Sequence, residues 1–246
     1  MCGRYLLKSA ESELRPIFRF VEHPNLAPRY NIAPTQAAPV VRERREPRGE
    51  RTIQALRWGL VPPWADDIKS GAPLINARAE SLLERRAFAG AFRGRRCLVP
   101  ADGYYQWREG DRSKQPYLVE RRDAAPFAFA GIWDRWGPRQ DPKAATDSFT
   151  IVTTDANDFL RPFHHRMPVV LAPEAYDRWL DPDEDAEKLV PLLTAAPNDW
   201  LRAVPLGRAV NSARAEGAEL IAPAGESLVW QGRLGEKNAR RMKEMS

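Results

Sequence analysis

Short β-like runs and short helical periods alternate irregularly along these 246 residues, and no linker-like stretch divides them. That order excludes a helical bundle and the regular strand–helix repeat of a doubly wound sheet. It calls for a single α+β domain, with a mixed or antiparallel β-sheet core and peripheral helices. Ser9 is expected to cap a helix running to about Phe20, with Leu14, Ile17 and Phe18 on one face. Pro24 to Pro39, with four prolines, reads as an extended loop. Strands are expected at Pro39–Val41, Thr52–Trp58, Cys97–Pro100, Tyr117–Glu120, Phe127–Trp133, Phe149–Thr153 and Met167–Leu171. Glu80 to about Phe88 and Asp183 to Leu193 read as helices, as does a segment opening at Pro173. A turn is expected at Asp102-Gly103, and a polar loop at Gly137–Asp147. After Pro223 the chain reads as a charged tail, frayed or loosely helical.

Composition narrows the chemistry. Two cysteines, Cys2 and Cys97, cannot make a disulfide framework or a four-cysteine zinc site, and three histidines do not support a histidine-rich one. No metal or cofactor is expected. No apolar run is long enough to span a membrane, and no signal-peptide core follows Met1, so a cytoplasmic protein is expected.

Charge points to a polyanion. The net charge is +5 and 31 of the 38 basic residues are arginine, the type that grips phosphate with two parallel hydrogen bonds. From Arg42 to Arg122 there are 18 basic and 11 acidic residues, whereas from Asp177 to Asp199 there are two and seven. Trp58 and Trp64 lie in the basic half, where exposed rings would stack on unpaired bases. A GC-rich coding bias also yields arginine, and most tryptophans are core residues, so charge by itself leaves the partner open.

Cys2 carries the sharper signal. Its small side chain permits removal of Met1, which leaves an amine and a thiol on one residue. Unperturbed, these have pKa values of about 7.7–8.0 and about 8.5. Such a 1,2-aminothiol condenses with an aldehyde to an imine, and the thiol then closes a thiazolidine ring. Alternatively it serves as an N-terminal nucleophile in amide cleavage. Gly3 permits close backbone approach beside it, and Arg4 is a candidate phosphate clamp.

Three further segments are dense in functional side chains: Tyr30-Asn-Ile-Ala-Pro-Thr35, Asn76-Ala-Arg-Ala-Glu80 and His164-His-Arg-Met-Pro168. If extended, the last places His164 and Arg166 on one face. Cysteine, histidine and asparagine together also fit a cysteine peptidase, and a purely structural histidine remains an alternative.

In order, Met1-Cys-Gly-Arg-Tyr5, Tyr30–Thr35, Trp58-Gly-Leu-Val-Pro62, Asn76–Glu80, Arg95–Gly103, Phe129–Trp133, His164–Pro168, and Asn211 with Glu219–Pro223 resemble the SOS response-associated peptidase (SRAP) family of abasic-site processing proteins. The resemblance spans residues 2–223, leaving 224–246 as the tail. It implies that Cys2 captures the ring-opened aldehyde of an abasic site in single-stranded DNA as a thiazolidine cross-link, shielding the lesion. On that mapping Asn76 and His164 hold and polarise the opened sugar. Arg4, Asn31, Arg78 and Arg166 contact DNA, and the Trp58–Trp64 segment wedges at a single-strand/duplex junction. A monomer is expected, free in the cytoplasm or on the bacterial nucleoid. The alternatives are a cysteine peptidase, acting on Met1 among other bonds, and a non-covalent single-stranded DNA-binding module.

One position departs from the family's pattern. Gln106 stands where the resemblance implies a glutamate that shuttles protons. Glutamine cannot act as an acid or base near neutral pH, so slow cross-link formation, or slow reversal, is expected.

Overall fold

The computed structural model describes residues 2–44, 46–108, 114–137 and 145–232. Among them the strands are β1 (Tyr5–Leu7), β2 (Arg29–Ile32), β3 (Ala37–Glu43), β4 (Arg51–Trp58), β5 (Asn76–Arg78), β6 (Arg96–Ala101), β7 (Gly103–Arg108), β8 (Gln115–Arg121), β9 (Phe127–Trp136), β10 (Thr146–Asp155), β11 (Arg166–Pro168), β12 (Val170–Leu171), β13 (Leu201–Pro205) and β14 (Leu228–Val229). The α-helices are short: α1 (Glu11–Phe18), α2 (Arg86–Gly94), α3 (Tyr176–Leu180) and α4 (Ala186–Leu189).

Five strands close on themselves in the order β10–β4–β3–β6–β9–β10. Four of these pairings are antiparallel, and the parallel pair of β4 with β10, Trp58 opposite Phe149, completes the ring. The sheet is therefore mixed, as the irregular element order predicts. Closure leaves no free edge in the ring itself. Strand alternation places Cys97, Val99, Phe129, Gly131, Phe149, Ile151 and Trp58 on one common face, the barrel interior. Gly131 is required there, because a Cβ at that position would lie 2.8 Å from the Cys97 sulfur.

A second sheet, in the order β14–β13–β8–β7–β1–β2, is antiparallel throughout. Tyr5 of β1 and Tyr104 of β7 are register partners, and both pack edge-on against Phe129 of the barrel. Tyr5 also meets Trp58 edge-on at 5.2 Å. This aromatic cluster joins the two sheets and is fully buried. Each such ring contributes about 1.5–3 kcal/mol through burial.

Several local expectations change. Helix α1 starts at Glu11 rather than after Ser9, because the Ser9 hydroxyl is diverted to Asp102 Oδ1 at 2.5 Å. It stops at Phe18, where Arg19 turns left-handed. The proline-rich stretch 24–39 is not wholly loop. Arg29–Ile32 forms the edge strand β2 between Pro28 and Pro34, where prolines are tolerated. Pro39 lies within β3, in a part that pairs only with β4, since pairing to β6 is confined to Val41 opposite Leu98. The helix read at 80–88 is a 3-10 turn at Ala79–Ser81 followed by α2, which begins at Arg86 and buries Phe88, Ala91 and Phe92. The 183–193 helix shrinks to α4 and a 3-10 turn at Val190–Leu192. Pro173 opens a 3-10 turn that leads into α3. Beyond Pro223, Leu228–Val229 adds a strand to β13. Residues 138–144 of the expected polar loop and 233–246 of the tail lie outside the described residues.

Candidate active site

The chain start is threaded into the junction between the two sheets. A hydrogen bond from the Tyr105 N–H to the Arg4 carbonyl (3.0 Å) carries the β1–β7 pairing one residue beyond Tyr5, so Arg4 lies beside β7. Cys2 is fully buried, and its carbonyl accepts a hydrogen bond from Asn76 Nδ2 at 2.8 Å. Burial pushes the Cys2 thiol up to about 12, against smaller downward pulls from the positive charge of the chain terminus and from the Arg4 backbone. The thiol is therefore protonated near neutral pH.

Asn76 opens β5, which lies parallel to β10 with Asn76 opposite Ile151. The loop before it is anchored where Gly59 and Gly71 cross. Gly59 has φ of 118°, and a Cβ there would stand 2.7 Å from the Gly71 carbonyl oxygen. Trp58 Nε1 donates to the Ile75 carbonyl at 2.9 Å, fixing the residue before Asn76. Asn76 Oδ1 is buried and has no partner among the described residues.

Alternation along β7 sorts its side chains onto two faces. Tyr104 and Gln106 share one, and Tyr105 and Trp107 share the other, where the Arg4 guanidinium lies 5.6 Å above the Trp107 ring. Gln106 is 4% exposed. Its register partner Tyr117 packs edge-on against Phe163 at 5.0 Å, which brings the following residue, His164, to this end of the sheet.

His164 accepts a hydrogen bond from the Arg166 backbone N–H at Nδ1 (2.9 Å) and stacks on His165. Burial, then the positive charge of the chain terminus and the neighbouring His165, pull the imidazole down to about 4. Near neutral pH the ring is uncharged, and because Nδ1 accepts, its proton resides on Nε2. The free edge is thus a hydrogen-bond donor, suited to polarising an oxygen rather than to removing a proton.

The structure divides the remaining expected DNA contacts. Arg78 is exposed and makes no ion pair among the described residues. Trp64 is 47% exposed, with the Arg86 guanidinium 4.6 Å from its centroid. Arg86 escaped the sequence reading because nothing in linear order links it to Trp64. Trp58, by contrast, is wholly buried, stacked on Phe149 and hydrogen-bonded through its indole, so it has no face to offer a base. Arg166 is turned inward: it grips Glu80 with two bonds (2.8 and 2.9 Å) and also binds Asp155 and the Thr153 carbonyl. Asn31 is 1% exposed, with its amide bonded within the protein, and Arg4 is engaged with it. Three expected contacts are therefore internal supports in this structure, and Arg4 is occupied by protein carbonyls. No group of three or more metal-ligating side chains converges among the described residues. No helix there is long and apolar enough to cross a membrane.

The ordered motifs agree with comparison to known proteins. The profile of the family described as SOS response associated peptidase (SRAP) matches residues 1–213. The chain belongs to the SRAP family. It is 37% identical over 227 residues to abasic site processing protein YoaM of Bacillus subtilis, covering 90% of this chain and 97% of that protein. It is 31% identical to abasic site processing protein YedK of Escherichia coli, covering 91% of this chain and all of that one. Among solved structures, a protein from Bordetella bronchiseptica matches with a TM-score of 0.72 at 28% identity, over 84% of this chain and all of the other. A Bacteroides thetaiotaomicron protein shares the fold at a TM-score of 0.80 and 23% identity, over 91% of this chain and all of the other.

Proposed function

We propose that this SRAP protein captures the aldehyde of an abasic site in single-stranded DNA as a thiazolidine on Cys2. The observation that carries the reading is Cys2 itself: the second residue of the chain, held by Asn76 in a buried junction of the fold. The names of its relatives supply the substrate class.

The chemistry balances without an added reagent. Removal of Met1 frees the Cys2 amine. Its nitrogen attacks the aldehyde carbon, and loss of one water gives the imine. The thiol sulfur then adds to the imine carbon while the thiol proton ends on nitrogen, closing the five-membered ring. The unpartnered Asn76 Oδ1 offers an acceptor near the amine, and the His164 Nε2–H offers a donor to a sugar oxygen. Arg78 would hold the flanking backbone, with Trp64 and Arg86 stacking on an unpaired base.

Gln106 occupies the position of the glutamate expected in the family and cannot transfer protons there. We assign to it a slow rate of cross-link reversal.

The test is incubation of the Met1-processed protein with abasic single-stranded DNA. A heat-stable covalent complex is expected, lost on Cys2→Ala and on extension of the chain before Cys2. A Cys2→Ala protein that still cross-links overturns the mechanism.

A further inference from the structure

Polar side chains tie the beginning of the chain to a segment some two hundred residues later. Arg4 Nη1 donates to Asn31 Oδ1 at 2.7 Å and to the Val210 and Ser212 carbonyls at 3.1 and 3.4 Å, while Nη2 donates to the Asn211 carbonyl at 3.2 Å. Asn31 Nδ2 reaches the Ser212 and Ala215 carbonyls at 2.9 and 2.7 Å. On the far side of the guanidinium, Trp107 Nε1 donates to Asn211 Oδ1 at 2.8 Å. The carbonyls belong to the end of a 3-10 turn, Arg208–Asn211, and the bend after it, where backbone acceptors run out of internal partners.

A phosphate ligand needs a free guanidinium edge. Here Nη1 and Nη2 are engaged by three carbonyls and an amide oxygen, and a phosphate seated across them would have to strip these of their donor. The backbone of Arg4 is held as firmly. Its carbonyl accepts from the Tyr105 N–H at 3.0 Å, and two residues before it the Cys2 carbonyl accepts from Asn76 at 2.8 Å. Fixing the Arg4 side chain therefore fixes the short run of chain that leads back to Cys2.

We propose that Arg4, Asn31 and Asn211 form a clasp between residues 210–215 and the chain start, and that Arg4 and Asn31 act as positioning residues for Cys2 rather than as DNA ligands. The consequence for reactivity rests on the cross-linking reading above; the clasp itself does not.

Two substitutions separate the roles. Asn31→Asp keeps an acceptor for Arg4 but loses both N–H donors to the 212 and 215 carbonyls. Arg4→Lys keeps the charge but not the planar fork. In single-turnover reactions at saturating abasic single-stranded DNA, both are expected to slow cross-linking at least tenfold. The half-saturating DNA concentration, and the salt dependence of binding to undamaged single strands, should stay within twofold of the parent. If Arg4→Lys instead retains the full rate while Arg4→Ala lowers the salt slope by about one, Arg4 is a phosphate ligand and the proposal falls.

Alkylation of Cys2 by iodoacetamide, read on the N-terminal peptide by mass spectrometry, tests the clasp without DNA. At least tenfold faster modification is expected in Asn31→Asp, and in Asn211→Ala should the first variant fold poorly. Alkylation at the parental rate in folded variants overturns the clasp. A parent protein that alkylates as expected yet yields no adduct with abasic DNA overturns the cross-linking reading alone.

Discussion

Asn76 Nδ2 donates to the Cys2 carbonyl at 2.8 Å, joining two residues that lie 74 positions apart, while Asn76 Oδ1 is buried without a partner. Under the proposed function, one side chain thus both locates the nucleophile and leaves a buried acceptor for the reaction to use. Asn76→Ala removes both. Cross-linking at saturating DNA should fall about 100-fold, the scale expected when a reacting group shifts by about 1 Å. The folded state should lose only about 1 kcal/mol, the net worth of one hydrogen bond. Quench-flow rates paired with urea unfolding separate the two effects.

Under the proposed function, Gln106→Glu supplies a proton-transferring group at a position where glutamine cannot act as one. Restoring a general acid–base group typically gains about 10²–10⁴-fold. Reversal should accelerate most, and release of cross-linked DNA into an aldehyde trap measures it directly. Formation and release at parental rates would show that position 106 carries no proton in this protein.

Much of this arrangement was legible beforehand because its signals are local. The barrel strands announce themselves by apolar runs, and Cys2, on which the proposed chemistry rests, is singled out by its position alone. Strand β7 was missed although Tyr104, Tyr105 and Trp107 favour strands, because the Asp102-Gly103 turn dominated the reading. Burial was not legible for Trp58, Asn31 or Arg166. Each is set by partners far along the chain, Phe149, Ser212 and Glu80 respectively. Residue type alone does not distinguish an arginine that grips a phosphate from one that grips its own protein.

The two tryptophans should therefore separate stability from binding. Trp58→Ala empties a fully buried site and is expected to cost about 3–5 kcal/mol. Trp64→Ala removes an exposed ring and should change stability by less than about 0.5 kcal/mol. Under the proposed function it should weaken binding to single strands by about 1–3 kcal/mol, the value of one base–aromatic stack. Thermal melts and fluorescence anisotropy give the two readouts.

His164 makes the acid limb of the stability profile specific. Its folded pKa, pulled down to about 4, lies below the ordinary unfolded value of about 6.5. Between these values the unfolded chain binds a proton that the folded protein refuses, so stability should fall as pH drops from 6.5 towards 4. His164→Gln should flatten that limb. Proton NMR of the ring should place its titration near pH 4 and show no transition near 6.5.

The alkaline limb has the opposite origin. Cys2, Cys97, Tyr5 and Tyr104 are fully buried, and burial raises the pKa of each, that of Cys2 to about 12. In the unfolded chain the thiols lose their protons near pH 8.5 and the phenols near 10. The stabilisation is thus fully present below about pH 8. It drains away as pH rises towards the folded values, because the unfolded state binds fewer protons. The melting temperature should decline from about pH 9 and fall faster above 10. Tyr104→Phe tests the assignment cleanly, since the Tyr104 hydroxyl has no partner among the described residues. Deleting an unpaired buried hydroxyl should leave stability at pH 7 unchanged or raise it by up to about 1 kcal/mol. The same variant should lose less than the parent between pH 9 and 11. Parallel melting curves for the two proteins across that range would place the Tyr104 hydroxyl in contact with solvent and contradict the packing of this aromatic junction.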